Sequence, residues 1–198
     1  MYSLILAAMV LTAEPAKLAV KLETLELPKD LATAIREACS PDAVHVTEKA
    51  GALCLIWLRK DIPTKDGKVV PGTLIGAIQL HRSWSDFKTQ EAPAGIYTLR
   101  YVLQPISKDH EGTAPQRDFV ILVPAVEDPN LDVLPLKSII QKSGKATGGT
   151  HPVVMLLFPY LKPAVEPIAL VKGKRVAIGV RWKENLGFAF TVIGSGVD

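Results

Sequence analysis

Apolar and polar residues alternate with a period of two over much of this chain. Leu18, Val20 and Leu22 are interleaved with Lys17, Ala19, Lys21 and Glu23, the pattern of a strand with one face in solvent. Further apolar segments run over 53–58, 73–80, 96–103, 119–123, 153–158, 168–171, 176–182 and 188–193. Most are short and bounded by Gly, Pro, Asp or Lys, so the expected fold is mainly β: an antiparallel β-sandwich, immunoglobulin-like or jelly-roll-like, with one or two short helices. The first helix is expected to start at an Asp30 N-cap, with Leu31, Ala34, Ile35 and Ala38 at helical spacing and Ser40-Pro41 as its stop. The second is expected over 135–143, with Pro135 in its first turn, Leu136, Ile139 and Ile140 facing inward, and Gly144 ending it.

The alternation is clearest over 97–104. Tyr97, Leu99, Tyr101 and Leu103 fall on one face, and Thr98, Arg100, Val102 and Gln104 on the other. One side therefore packs, while the other meets polar surroundings or a second layer. Gly95, two places before Tyr97, matches the tyrosine corner of immunoglobulin-like sandwiches, in which the phenol hydroxyl bonds back to the preceding backbone.

Composition narrows the class of protein. A chain of 198 residues with 48% hydrophobic and 22% charged side chains can bury a full core as one domain. The 23 Lys and Arg exceed the 20 Asp and Glu by only +3, and they are scattered, which excludes a nucleic-acid partner. Residues 4–11 (LILAAMVL) form an uncharged run followed by Thr12-Ala13-Glu14-Pro15-Ala16, the h-region and small-residue end of a signal peptide. The run is far short of the ~20 residues of a spanning helix, so the mature chain is expected to have no transmembrane span. This reading assigns 1–13 to the leader and 14–198 to a single exported domain, periplasmic or extracellular; the competing reading makes 4–11 a buried first strand.

Cys39 and Cys54 are the two cysteines. In an exported chain they can form a disulfide, or they can be two separate buried thiols, and their spacing does not decide between the two.

The run GIYTLRYVLQP, followed by DHEGT, RDFVILVPA and GGTHP, resembles an uncharacterised family of exported bacterial proteins whose members carry G-x-Y-T-L-R-Y, D-H-x-G, R-D-F and H-P in this order. The resemblance covers roughly 84–158 and implies export without naming a reaction. Its motif positions here are Asp109, His110, Gly112, Arg117, Asp118 and His151.

Residue spacing singles out the same region. Between the strands ending at Leu103 and starting near Asp118 lie residues 104–117, far longer than a tight hairpin needs. A long loop on a rigid scaffold is a common binding surface. Asp109 and His110 in this loop, with Asp118 and His151, would offer Zn or Cu a His/carboxylate site. In the simpler reading the acidic groups cap turns, His110 is a loop residue, and Arg117 and Asp118 bond to strand neighbours. His45 and His81 read as ordinary strand residues, and Trp57, Trp84 and Trp182 as core or core-edge. No nucleophile elbow, H-E-x-x-H or P-loop pattern occurs. The expected function is an exported, non-catalytic module that binds an unknown protein or small ligand through 104–117, as a free-standing binder or an accessory subunit of an envelope assembly. The alternative is a metal-binding or metal-dependent protein.

Overall fold

This computed structural model describes residues 18–86, 88–104, 117–172 and 175–194. Strands dominate it. In chain order they are β1 (Ala19–Thr24), β2 (Cys39–Glu48), β3 (Gly51–Arg59), β4 (Thr64–Lys65), β5 (Lys68–Val69), β6 (Leu74–Leu80), β7 (Trp84–Ser85) and β8 (Glu91–Ala92). There follow β9 (Gly95–Leu103), β10 (Asp118–Pro124), β11 (Val153–Leu161), β12 (Ile168–Lys172), β13 (Arg175–Lys183) and β14 (Leu186–Ile193). The two α-helices among the described residues are α1 (Thr33–Ala38) and α2 (Leu136–Thr147).

The long strands form one antiparallel sheet in the order β1-β2-β3-β6-β9-β10-β11-β14-β13-β12. Up to β11 this is a meander. The last four strands then take the Greek-key order, with β14 returning to lie beside β11. β11 joins the two halves: Val153 to Leu156 pair with β10, and Leu157 to Leu161 pair with β14. The edge strands β1 and β12 come together, so the sheet curls into a sandwich-like near-barrel. No helix among the described residues is long and apolar enough to cross a membrane.

Period-two alternation explains where the core sits. Val44 and Val46, Cys54 and Ile56, Tyr97 and Leu99, Val120 and Leu122, Met155 and Leu157, and Phe188 and Phe190 all point inward and make one cluster. Two smaller clusters lie on the outer face. One sits under α1 and its preceding segment, around Leu31, Ile35, Ala43 and Trp57. The other sits under α2, where Ile139 packs on Val102, Phe119, Ile121, Val123 and Leu156.

The helices differ from expectation at their ends. α1 begins after an Ala32 cap that makes no side-chain hydrogen bond, so Asp30 lies outside it. Its alternation partner β2 starts at once, at Cys39, a strand that the broken pattern Cys39-Ser40-Pro41-Asp42 conceals. α2 runs past Gly144 to Thr147 and ends on Gly148, whose φ of 66° is the left-handed conformation that glycine adopts without a Cβ penalty. Gly144 is buried inside the helix, where a Cβ would press on the Gly149 carbonyl, so the glycine serves close approach and not termination. Ser143, also buried, pins the helix to the sheet: its hydroxyl donates to the Leu122 carbonyl (2.6 Å) and accepts from the Val153 N–H (3.0 Å). Leu122 and Val153 are direct partners across β10 and β11.

Candidate functional site

The region that carries the candidate site is the end of the sheet where β9 stops and β10 begins. Residues 105–116, with Asp109 and His110 among them, lie outside the described residues, as does the 4–11 run. Both anchors of the loop are described, and they are cross-braced. Gln104 N–H donates to the Arg117 carbonyl (2.8 Å), and Arg117 Nε donates back to the Gln104 carbonyl (3.0 Å). One step into the sheet, the Tyr101 hydroxyl donates to Asp118 Oδ1 (2.7 Å). Burial, reinforced by this carboxylate, pushes the Tyr101 phenol well above its ordinary value, so it stays a donor.

Beneath the anchors lies a buried polar network on the outer face of β9. Arg100 is fully buried, and its guanidinium donors are all placed. Nε and Nη2 grip the two oxygens of Asp128 at 2.7 Å each. Nη2 also donates to the Asn130 carbonyl (2.6 Å), and Nη1 donates to the carbonyls of Gly72 (3.0 Å) and Asp132 (2.5 Å). Thr98 adds a hydroxyl to Asp128 Oδ2 (2.5 Å). A charge this deep is tolerated only when paired and fully hydrogen-bonded, and the bidentate fork meets that condition. The network clamps 128–132 against β9. Gly72 completes it: with φ 92° it bonds Tyr101 through its N–H and Leu134 through its carbonyl, and a Cβ there would collide with the Leu134 backbone.

The clamped segment shapes a surface groove of about 320 Å³ whose lining includes Pro71, Val102, Leu103, Val133, Leu134 and Leu136. Val133 is 50% exposed there. Leu103 belongs both to this groove and to the base of the 104–117 loop. The inward side of the same strand is packed: the Tyr97 hydroxyl donates to the Pro93 carbonyl four residues upstream (2.8 Å), the expected tyrosine corner.

The remaining candidate residues do not converge here. Asp118 opens β10, level with Leu103, whereas His151 stands two residues before Val153, which pairs with Leu122 at the far end of β10. Asp118 to Leu122 alone spans about 13 Å of strand, and His151 precedes β11 at that far end, so the two are too far apart to share a metal ion. Among the described residues no three His, Cys, Asp or Glu side chains group as metal ligands. His151 is exposed beside α2. His45 lies in β2, with Nδ1 2.7 Å from Glu23 Oε2. His81 follows β6 in an exposed bend and not in the strand itself.

The cysteines are two separate thiols. Cys39 pairs with Arg59 across β2 and β3, while Cys54 lies five residues earlier on β3. That is about 16 Å along the strand, against the limit of about 7 Å for a disulfide. They also face opposite sides of the sheet, Cys54 in the inner cluster and Cys39 in the outer one. Burial pushes the Cys54 thiol up to about 12. It also lifts Cys39 to about 11, against the pull of Arg59 and Lys60. Both stay protonated and unreactive.

Asp128, the partner of Arg100, escaped notice in the sequence because nothing in EDPN at 127–130 marks an aspartate as buried. Its only signal was Arg100 itself, a charge at a strand position whose neighbours on both sides are apolar. No protein-family model matches this chain, and neither a curated protein sequence nor a solved structure does.

Proposed function

We propose that the protein is an exported, non-catalytic binding module that engages a protein or small ligand through residues 104–117, with the adjoining apolar groove as part of the contact surface. The observation that carries this reading is the cross-braced base of the loop. Gln104, Arg117, Tyr101 and Asp118 hold its two ends in register, and the Arg100 clamp fixes the groove beside it. A rigid base under a long polar segment is how sandwich proteins present recognition loops. The leader-like run at 4–11 and the motif order over 84–158 support export, and with it a role in the cell envelope, free-standing or as an accessory subunit.

Site-specific photo-crosslinking in intact cells tests the binding surface. A crosslinker at Gln104 is expected to give discrete adducts, and one at Lys49, in the β2–β3 turn at the opposite end of the sheet, is expected to give none. Equal labelling from both positions, or none from Gln104, rejects the reading. Replacing 105–116 with a short Gly-Ser linker is expected to abolish the adducts while leaving the melting temperature within a few degrees. Export is tested separately by N-terminal sequencing of envelope-fraction protein, where an intact Met1 rules out cleavage after Ala13.

A further inference from the structure

The change of partner along β11 leaves a split in the sheet. Leu156 faces Phe119 of β10, Leu157 faces Phe190 of β14, and beyond this point Val153 to Leu156 and Thr191 to Ile193 part company. The β7–β8 hairpin closes over the split with side chains in place of a strand. Trp84 Nε1 donates to the Val192 carbonyl (2.8 Å), and Asp86 Oδ2 accepts from the Val154 N–H (3.0 Å). The other oxygen of Asp86 accepts from the N–H groups of Lys88 and Gln90, both at 2.8 Å, which fixes the hairpin itself.

These bonds do not fill the split. A crevice of about 10 Å³ remains, lined by Trp84, Ser85, Val154, Met155, Thr191 and Val192 among others. Thr191 is only 5% exposed, and its hydroxyl has no hydrogen-bond partner among the described residues. A site for one water needs about 10–15 Å³ and two to four polar groups. Thr191 Oγ1 supplies one. The Val154 carbonyl lies on the same strand edge as the N–H bound to Asp86, and Ser85 also lines the crevice.

We propose that this crevice binds a single water molecule, held by Thr191 Oγ1, which bridges β11 and β14 where the two strands separate. The water does for the Thr191 hydroxyl what Asp86 and Trp84 do for the neighbouring backbone: it satisfies a buried polar group beside the interrupted ladder.

Crystal structures of the full chain, at a resolution that shows ordered solvent, test this with Thr191→Val and Thr191→Ser. A solvent peak about 2.7–3.2 Å from Oγ1 is expected in the wild-type protein and in Thr191→Ser, and it is expected to vanish in Thr191→Val. An empty crevice in the wild type, a Thr191 hydroxyl bonded to a protein carbonyl instead, or a peak that survives unchanged in Thr191→Val overturns the proposal. Should Thr191→Val fail to fold, a water-to-methyl nuclear Overhauser effect at Thr191 in the wild-type protein decides: its presence with the slow exchange of internal water supports the site, and its absence removes it.

Discussion

Strand β9 is buried on both faces, and the two faces are buried by different physics. Inward, Tyr97, Leu99 and Tyr101 join the main apolar cluster, where attraction is non-directional and any well-shaped hydrocarbon contributes. Outward, Thr98 and Arg100 are as deeply buried but depend on Asp128 and on carbonyls from four separate residues, each at hydrogen-bonding distance. The inner face tolerates exchange of one apolar group for another. The outer face works only if every member is present, because a lone buried charge is far costlier than a missing methyl group. That asymmetry puts the all-or-none polar network on β9, three residues before the described base of the candidate binding loop.

The largest expected effect follows from removing one half of the buried ion pair. Asp128→Ala leaves Arg100 charged and uncompensated and should cost about 3–5 kcal/mol in urea unfolding. Replacing both partners together, as Arg100→Met with Asp128→Leu, should lose much less than the sum of the single changes; strict additivity would mean the clamp is not a unit. On the opposite face Leu99→Ala should cost about 2–5 kcal/mol by opening a cavity, and Leu99→Met well under that. If Leu99→Met proved as damaging as Leu99→Ala, the contrast between the faces would fail.

A smaller effect is expected at Ser143, where alanine removes the bridge between Leu122 and Val153 and should cost about 1–3 kcal/mol, with amide exchange at Val153 quickened. Tyr97→Phe, which loses one hydroxyl bond to the Pro93 carbonyl, should cost about 1 kcal/mol. Retained stability there would reduce the tyrosine corner to packing alone.

The smallest effect is a pH dependence. Burial outweighs the three N–H donors on Asp86 and raises its carboxyl above the ordinary value. The folded state therefore binds that proton more tightly than the unfolded one, and the contribution of Asp86 is fully present below the usual carboxylate range and declines as pH rises through its folded pKa. The stability difference between wild type and Asp86→Asn should fall with rising pH over that interval and then level off. A difference that rises instead would show that the N–H donors outweigh burial.

Much of the fold was legible because period-two patterning reports directly on burial. The segments at 53–58, 96–103 and 188–193 lie within strands of the sheet, and 73–80 does so from Leu74 on, and Tyr97 makes its upstream bond. β2 was hidden because Ser40, Pro41 and Asp42 interrupt its alternation, although Ala43 to Val46 carry it. The extension of α2 past Gly144 was hidden because a glycine chosen for close approach to Gly149 looks, in sequence, like a helix stop. In the site, the loop anchors could be read from chain length between strands. The separation of Asp118 from His151 could not, since it depends on which ends of β10 and β11 they occupy.

The sequence by itself determined the β class and the long strands of the sheet apart from β2, because both follow from local alternation between water and core; the two-residue strands β4, β5, β7 and β8 are too short to carry that signal. Only the tertiary structure decided that β14 returns to β11, that Cys39 and Cys54 face opposite sides of one sheet, and that Arg100 finds Asp128. Those outcomes depend on register and on residues 15 to 33 positions apart in the chain, and no local pattern encodes which distant groups will meet.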